Sequence, residues 1–157
     1  LAQAALSSHL GEVDHVSEVW PFDCTSYYEP EMGPGLLRRF VAFSELIDPG
    51  QIVAIKHLTN RLELELSGRL GLPADRRAVN IDPGYVSLSK LVLATTKDYS
   101  HRIYIGRGIY AEVTLRWEKG AWRAWPWTYP DYASGRYDAF FAQVRRTLRA
   151  QLAEIQA

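Results

Sequence analysis

His101 and Arg102 stand side by side, directly after Lys97 and Asp98 and at the start of an extended stretch. Histidine is the side chain whose ordinary pKa lets it exchange protons near neutral pH, which makes His101 a candidate general acid or base. Arg102 carries a planar fork suited to gripping a carboxylate or phosphate, and Lys97 adds a second positive charge. Glu112 lies in the middle of an apolar–polar alternation. Carboxylates are depleted in strands, and a buried one demands a cation or a donor. Further upstream, Tyr27 precedes a segment carrying Glu29 and Glu31, Lys56 and Asn60 fall in a helical pattern, and Asp82 sits in a Pro-Gly turn; downstream come Trp127 and Tyr129.

These residue types imply a site for a small anionic, phosphate- or nucleotide-like molecule. Lys56, Lys97 and Arg102 would hold the anion, and His101 would move protons. Glu31 and Glu112 would orient reacting groups. Asn60, Asp82 and the rings of Tyr27, Trp127 and Tyr129 would line the ligand. Asp82, Glu112 and Glu31 also have the chemistry to hold a hard cation such as Mg²⁺, but their spacing is not diagnostic and no metal site is assigned. No phosphate-loop or other cofactor fingerprint is present, so the cofactor is left open. The competing reading of the same residues is structural: Asp82-Pro83-Gly84 has turn chemistry of its own, and the charged side chains can serve as salt bridges.

The elements that must position these groups read as follows. Residues 108–117 alternate strictly, Ile109, Ala111, Val113, Leu115 and Trp117 against Tyr110, Glu112, Thr114 and Arg116, which predicts a strand with one apolar and one polar face. Residues 85–97 and 101–105 read as two more strands, joined by short connections and the hairpin signal Gly106-Arg107-Gly108. Short connections imply antiparallel neighbours, an antiparallel meander. Residues 1–10 predict a helix stopped by Gly11. Residues 16–28, interrupted at Pro21, and 36–47 predict a β-hairpin whose tip carries Glu29 and Glu31. Asp48 and Pro49 open a helix to about Ser67, with Ile52, Ile55, Leu58, Leu62 and Leu66 as its core stripe and Lys56, Thr59 and Glu63 half shielded beside it. GRLGLPADRR (68–77) reads as an exposed loop. Residues 121–125 read as a short strand and 127–132 as an aromatic loop. Ser134 then caps a last helix with Tyr137, Phe140, Phe141, Val144, Leu148 and Leu152 inward and Arg145, Arg146 and Arg149 outward. The fold class is α+β, a mostly antiparallel sheet (hairpin plus meander) with helices packed against it.

A chain of 157 residues is expected to form a single domain over 1–157. Its 18 basic and 18 acidic residues cancel, which argues against a general nucleic-acid binder while leaving room for a small basic pocket. The one cysteine, Cys24, excludes an intramolecular disulfide and is compatible with a cytoplasmic setting. No long apolar run is present, so no membrane-spanning helix is expected.

The motifs FDCTSYYEPEMG (22–33), KHLTN (56–60), NIDPGYV (80–86), LATTKD (93–98), HRIYIGRGIYAEVTL (101–115) and WTYPDY (127–132) occur in this order. Together they make the chain, over residues 11 to about 150, resemble the domain-of-unknown-function family 4416. The resemblance brings no activity with it. It implies a further strand upstream of the first helix. The chain starts at Leu1, so the native N-terminus is expected upstream, and an uncovered sheet edge would favour a homo-oligomer. Two functional readings follow from the residues: an enzyme or ligand-handling domain for a small anionic molecule, or a non-catalytic protein-interaction module whose polar motifs are turns and salt bridges and whose aromatic loop is exposed.

Overall fold

The computed structural model describes residues 1–156. It is an α+β chain that divides into two compact units, Leu1–Asp82 and Pro83–Ala157.

The first unit opens with α1 (Ala2–Leu10), closed by Gly11 at φ 88°. The hairpin follows in two pieces. β1 (Val13–Val16) pairs antiparallel with β4 (Val41–Phe43), and β2 (Trp20–Pro21) pairs with β3 (Leu37–Arg38). The interruption falls at residues 17–19, not at Pro21, which pairs with Leu37. Ser17 bridges it: its N–H donates to the Phe40 carbonyl, and its hydroxyl accepts from the Phe40 N–H at 2.8 Å. The hairpin tip is a one-turn helix, α2 (Glu29–Met32). Asp48 and Pro49 start a 3₁₀ turn, with the Asp48 carboxylate accepting from Gly50 N–H and the Gln51 side chain accepting from Asp48 N–H. This reciprocal cap satisfies donors that a helix start leaves orphaned. It leads directly into α3 (Ile52–Arg69), which packs on α1.

The buried stripe of α3 differs from the apolar one that periodicity predicts. Ile52, Leu62 and Leu66 are buried, but Ile55 and Leu58 are only half-buried. Lys56, Thr59 and Glu63, expected at the margin, are fully buried. A polar stripe of this kind must be hydrogen-bonded to be tolerated.

The second unit is one antiparallel five-stranded sheet with two helices. The stretch 85–97 is not one strand. It splits at the turn 87–89 into β5 (Gly84–Val86) and β6 (Lys90–Thr95), which form a hairpin. The Ser87 hydroxyl accepts from the N–H groups of Ser89 and Lys90, so side-chain chemistry makes the turn. β7 (Ile103–Gly106) and β8 (Ile109–Glu118) are joined through Arg107 and Gly108, both at positive φ, the geometry that a tight hairpin requires. The long β8 is the centre. β6 lies along one edge of it, while β7 and β9 (Ala121–Ala124) divide the other edge between its two ends.

The alternation along β8 is present, but its polar face is not open: Glu112 is 2% and Thr114 0% exposed. After β9 the aromatic loop runs into a one-turn helix, α4 (Pro130–Ala133), and then α5 (Asp138–Ile155). Ser134 is not the cap of α5. Its hydroxyl donates back to the Asp131 carbonyl and closes α4, and Tyr137 precedes α5. α5 packs on β5 and β9, with Phe141 against Trp122, and Val144, Leu148 and Leu152 are half-buried.

Gly84 pairs with Leu93, and a Cβ there would lie 2.4 Å from the Val92 carbonyl oxygen. Because that obstacle is backbone, Gly84→Ala is expected to destabilise the protein by roughly 1–3 kcal/mol, the range for overpacking. Urea denaturation of the variant against the parent chain checks it, and an unchanged midpoint would contradict it.

Candidate functional site

Glu112 is where β8 carries chemistry. It stands opposite Leu93 of β6, in the interior of the sheet. Its Oε2 accepts two hydrogen bonds, from His101 Nε2 at 2.9 Å and from Arg102 Nε at 3.0 Å. Both partners come from the segment entering β7, which the hairpin returns alongside the β8 start. The other oxygen, Oε1, is buried and has no partner, and neither has the buried Thr114 hydroxyl two residues on. An unmet buried acceptor costs about 1–3 kcal/mol, so this carboxylate is held at an energetic disadvantage.

Arg102 is fixed from three sides. Nη1 donates to the Lys97 carbonyl at 3.0 Å, and Nη2 donates to the Tyr129 hydroxyl at 2.7 Å. A guanidinium only donates, so the Tyr129 oxygen accepts and this bond leaves its own O–H unused. A carboxylate only accepts, so the His101 nitrogen facing Glu112 carries the hydrogen; in the neutral form of the ring, Nδ1 is then the bare, basic nitrogen. The ring plane is set as well. His101 stacks on Trp127 at 5.5 Å and 16°, and Tyr99 meets it edge-on at 5.2 Å. Trp127 stacks in turn on Trp125 at 5.1 Å and donates its indole N–H to the Val113 carbonyl.

A second polar cluster lies in the first unit and explains the buried stripe of α3. Arg77 donates through Nε to Glu31 at 2.7 Å, and through Nη1 to Glu63 at 3.1 Å and to the Asn80 side chain at 3.0 Å. The other Glu63 oxygen accepts the Ile81 N–H at 2.6 Å. Lys56 donates to the Ile81 carbonyl at 3.1 Å and pairs with Asp82 at 3.4 Å, while Asn80 donates to the other Asp82 oxygen. The network ties the segment 77–82 to α3 and to α2. Burial pushes the Glu63 carboxyl above its ordinary 4.5, against the opposing pull of the Ile81 N–H, Lys56 and Arg77. Burial pulls on Arg77 in the other direction, but Glu31 and Glu63 more than offset it and raise its pKa.

The sequence-predicted residues therefore fall into two groups. His101, Glu112, Arg102, Trp127 and Tyr129 meet in the second unit, with Lys97 contributing its carbonyl while its side chain is exposed. Lys56, Asp82 and Glu31 belong to the α3 network. The Asn60 side chain makes no hydrogen bond among the described residues, and Tyr27, 62% exposed, packs edge-on against Tyr28. Trp127, 38% exposed, stacks on both His101 and Trp125. Each carboxylate of the Mg²⁺ alternative is engaged by cationic groups of its own unit. Among the described residues no group of His, Cys, Asp and Glu has the arrangement to hold a metal.

Tyr99 and Arg77 belong to the two clusters but carry no mark in the sequence. Arg77 lies in a charged loop with no periodicity to mark it. The hairpin of the first unit also lines a concavity of about 350 Å³, between Phe22, Glu29 and Leu37, which none of the predicted site residues borders.

A family model described as "Domain of unknown function (DUF4416)" matches residues 1–148. The chain belongs to this family. The match spans both units and both polar clusters, and it extends the resemblance read from residues 11 to 150 to the start of the chain. No curated protein and no solved structure matches the chain.

Two outcomes are expected for the α3 network. Arg77→Met leaves Glu63 buried without its cation and lowers stability by roughly 3–5 kcal/mol, and adding Glu63→Gln recovers part of that loss. The folded Glu63 carboxyl holds its proton more tightly than the unfolded one, so its contribution is fully present below about pH 4.5 and is lost as pH rises through the raised value. The stability of the parent chain minus that of Glu63→Gln should therefore fall as pH rises from below 4.5 toward neutrality. Urea denaturation across that range reads it, and a difference that is flat or grows with pH would contradict the assignment.

Proposed function

We propose that the Glu112 cluster binds a small anionic molecule and exchanges a proton with it through His101. One observation carries the reading: a single oxygen of a buried carboxylate holds both His101 and Arg102. Glu112 fixes the tautomer of His101, and Trp127 and Tyr99 fix its plane, so the bare Nδ1 is a directed base. Arg102 acts by orienting Tyr129, its Nε and both Nη nitrogens each donating to a protein partner. Tyr129 is 46% exposed and offers an aligned O–H to an anionic oxygen. Lys97, exposed on the loop that Arg102 grips, adds positive charge beside it. The ligand class that fits is a small carboxylate or phosphomonoester with an exchangeable proton near its charge. Glu112 and Arg102 are positioning residues, and His101 and Tyr129 are the groups that touch the ligand.

A second reading, a protein-interaction module, draws on exposed side chains of the same unit: Tyr99 is 65%, Ile103 70% and Tyr104 58% exposed. Against it, Tyr132 of the aromatic loop is buried, and the Glu112 cluster is more than surface pairing.

A thermal-shift panel of small carboxylates, phosphomonoesters and nucleotides separates the two. A true ligand raises the melting temperature with concentration, by the equivalent of about 2.7 kcal/mol at a hundredfold excess over Kd. Tyr129→Phe is expected to weaken that ligand by roughly 10-fold or more, the worth of a hydrogen bond to a charged group. His101→Gln should leave binding within a few-fold while removing about 10²–10⁴ of any turnover. A panel without stabilising compounds, or one that stabilises Tyr129→Phe as strongly as the parent, overturns the proposal.

A further inference from the structure

α5 carries Arg145, Arg146 and Arg149 within five positions, and the only acidic residues of the helix, Asp138 and Glu154, lie toward its two ends. A solvated helix face ordinarily interleaves the two signs, and like charges one turn apart destabilise a helix. Arg145 and Arg149 have that spacing and share a face. Among the described residues no carboxylate lies within ion-pair distance of either.

Arg145 is not a loose surface side chain. Its guanidinium lies 4.1 Å over the Trp117 ring, and its Nε donates to the Leu88 carbonyl at 2.8 Å. That carbonyl belongs to the turn between β5 and β6, so the hydroxyls of Ser87 and Ser89 flank the point that Arg145 grips. Stacking and the Nε bond fix the orientation of the fork and leave both Nη nitrogens without a partner among the described residues. Burial, and then repulsion from Arg149, lower the Arg145 pKa, so the two cations meet without compensation.

We infer that Arg145 and Arg149 of α5, beside the turn 87–89, form a binding site for a phosphomonoester dianion. A tetrahedral dianion suits the arrangement. It accepts from the fixed Arg145 fork and from Arg149 one turn away, and it relieves the repulsion between them. The side-chain ordering that usually opposes a surface ion pair has already been met for Arg145 by Trp117 and Leu88. The zero net charge of the chain makes this a local feature, distinct from a general affinity for polyanions. The site uses no residue of the Glu112 cluster.

Calorimetric titration of the full chain with inorganic phosphate at pH 7.5 tests it, with sodium chloride at matched ionic strength as the blank. Saturable binding is expected, with one equivalent that depends on Arg149. Arg149→Ala, an exposed change, should weaken it about 10-fold, and Arg145→Lys, which keeps the charge but loses the fork, should weaken it several-fold. Arg146→Ala should leave it within twofold. Parallel titrations with glycerol phosphate and with vesicles bearing phosphatidic acid identify whether a soluble ester or a lipid headgroup is the better source of the same dianion. Absence of saturable binding, or equal affinity in Arg149→Ala and the parent chain, overturns the inference. Loss of binding in Tyr129→Phe with Arg149→Ala unchanged would assign the phosphate to the Glu112 cluster and also overturn it.

Discussion

A carboxylate in the middle of a sheet has to be compensated, and that constraint organises the second unit. Glu112 is almost without solvent contact, so its charge is tolerable only with cations and donors at hydrogen-bond distance. Removing one partner of such a pair typically costs about 3–5 kcal/mol, which is comparable to a large part of a domain's stability. The β7–β8 hairpin supplies the compensation by returning His101 and Arg102 to the level of Glu112. The tight turn at Arg107 and Gly108 is thereby tied to the site, since it sets the register that brings these side chains together. The aromatic loop then closes on the result, with Trp127 against the imidazole and Tyr129 against the guanidinium.

The two clusters obey one rule with different outcomes. Around α3 the charges of Arg77, Glu63 and Lys56 are each matched, both oxygens of Glu63 are used, and the loop 77–82 is the object held. Such a network specifies structure. Around Glu112 one oxygen carries two partners and the other none. A cluster left partly unsatisfied, with a basic nitrogen and an aligned hydroxyl at its edge, has the properties of a working site. The proposed function rests on this contrast, taking Lys56, Asp82 and Glu31 as scaffold and His101 and Tyr129 as the groups that would touch a ligand.

Much of this was legible in the sequence where a period or a turn dominates. β8 follows from its alternation, and the start of α3 from Asp48 and Pro49. The joining of β7 to β8 follows from the glycines around Arg107. Glu112 was marked by its oddity within a strand, and His101 and Arg102 by their place at a strand start. The remainder depended on tertiary partners. The run 85–97 has no Gly or Pro to break it, so the turn at Ser87 and Ser89 was hidden among strand-forming residues. Lys56, Thr59 and Glu63 look marginal on a helical wheel, and only the loop 77–82, which brings donors and acceptors to them, makes their burial tolerable. Arg145 reads as an outward charge, because nothing in α5 itself announces that Trp117 lies under it.

The central claim is that Glu112 fixes the tautomer and orientation of His101. Nitrogen NMR of the His101 imidazole, followed against pH in the parent chain and in Glu112→Gln, tests it most directly. The neutral form of the ring is expected to be protonated at Nε2 and bare at Nδ1 in the parent, and to be a mixture of tautomers in the variant. A parent ring protonated at Nδ1, or averaged between tautomers in the same way as the variant, would contradict it.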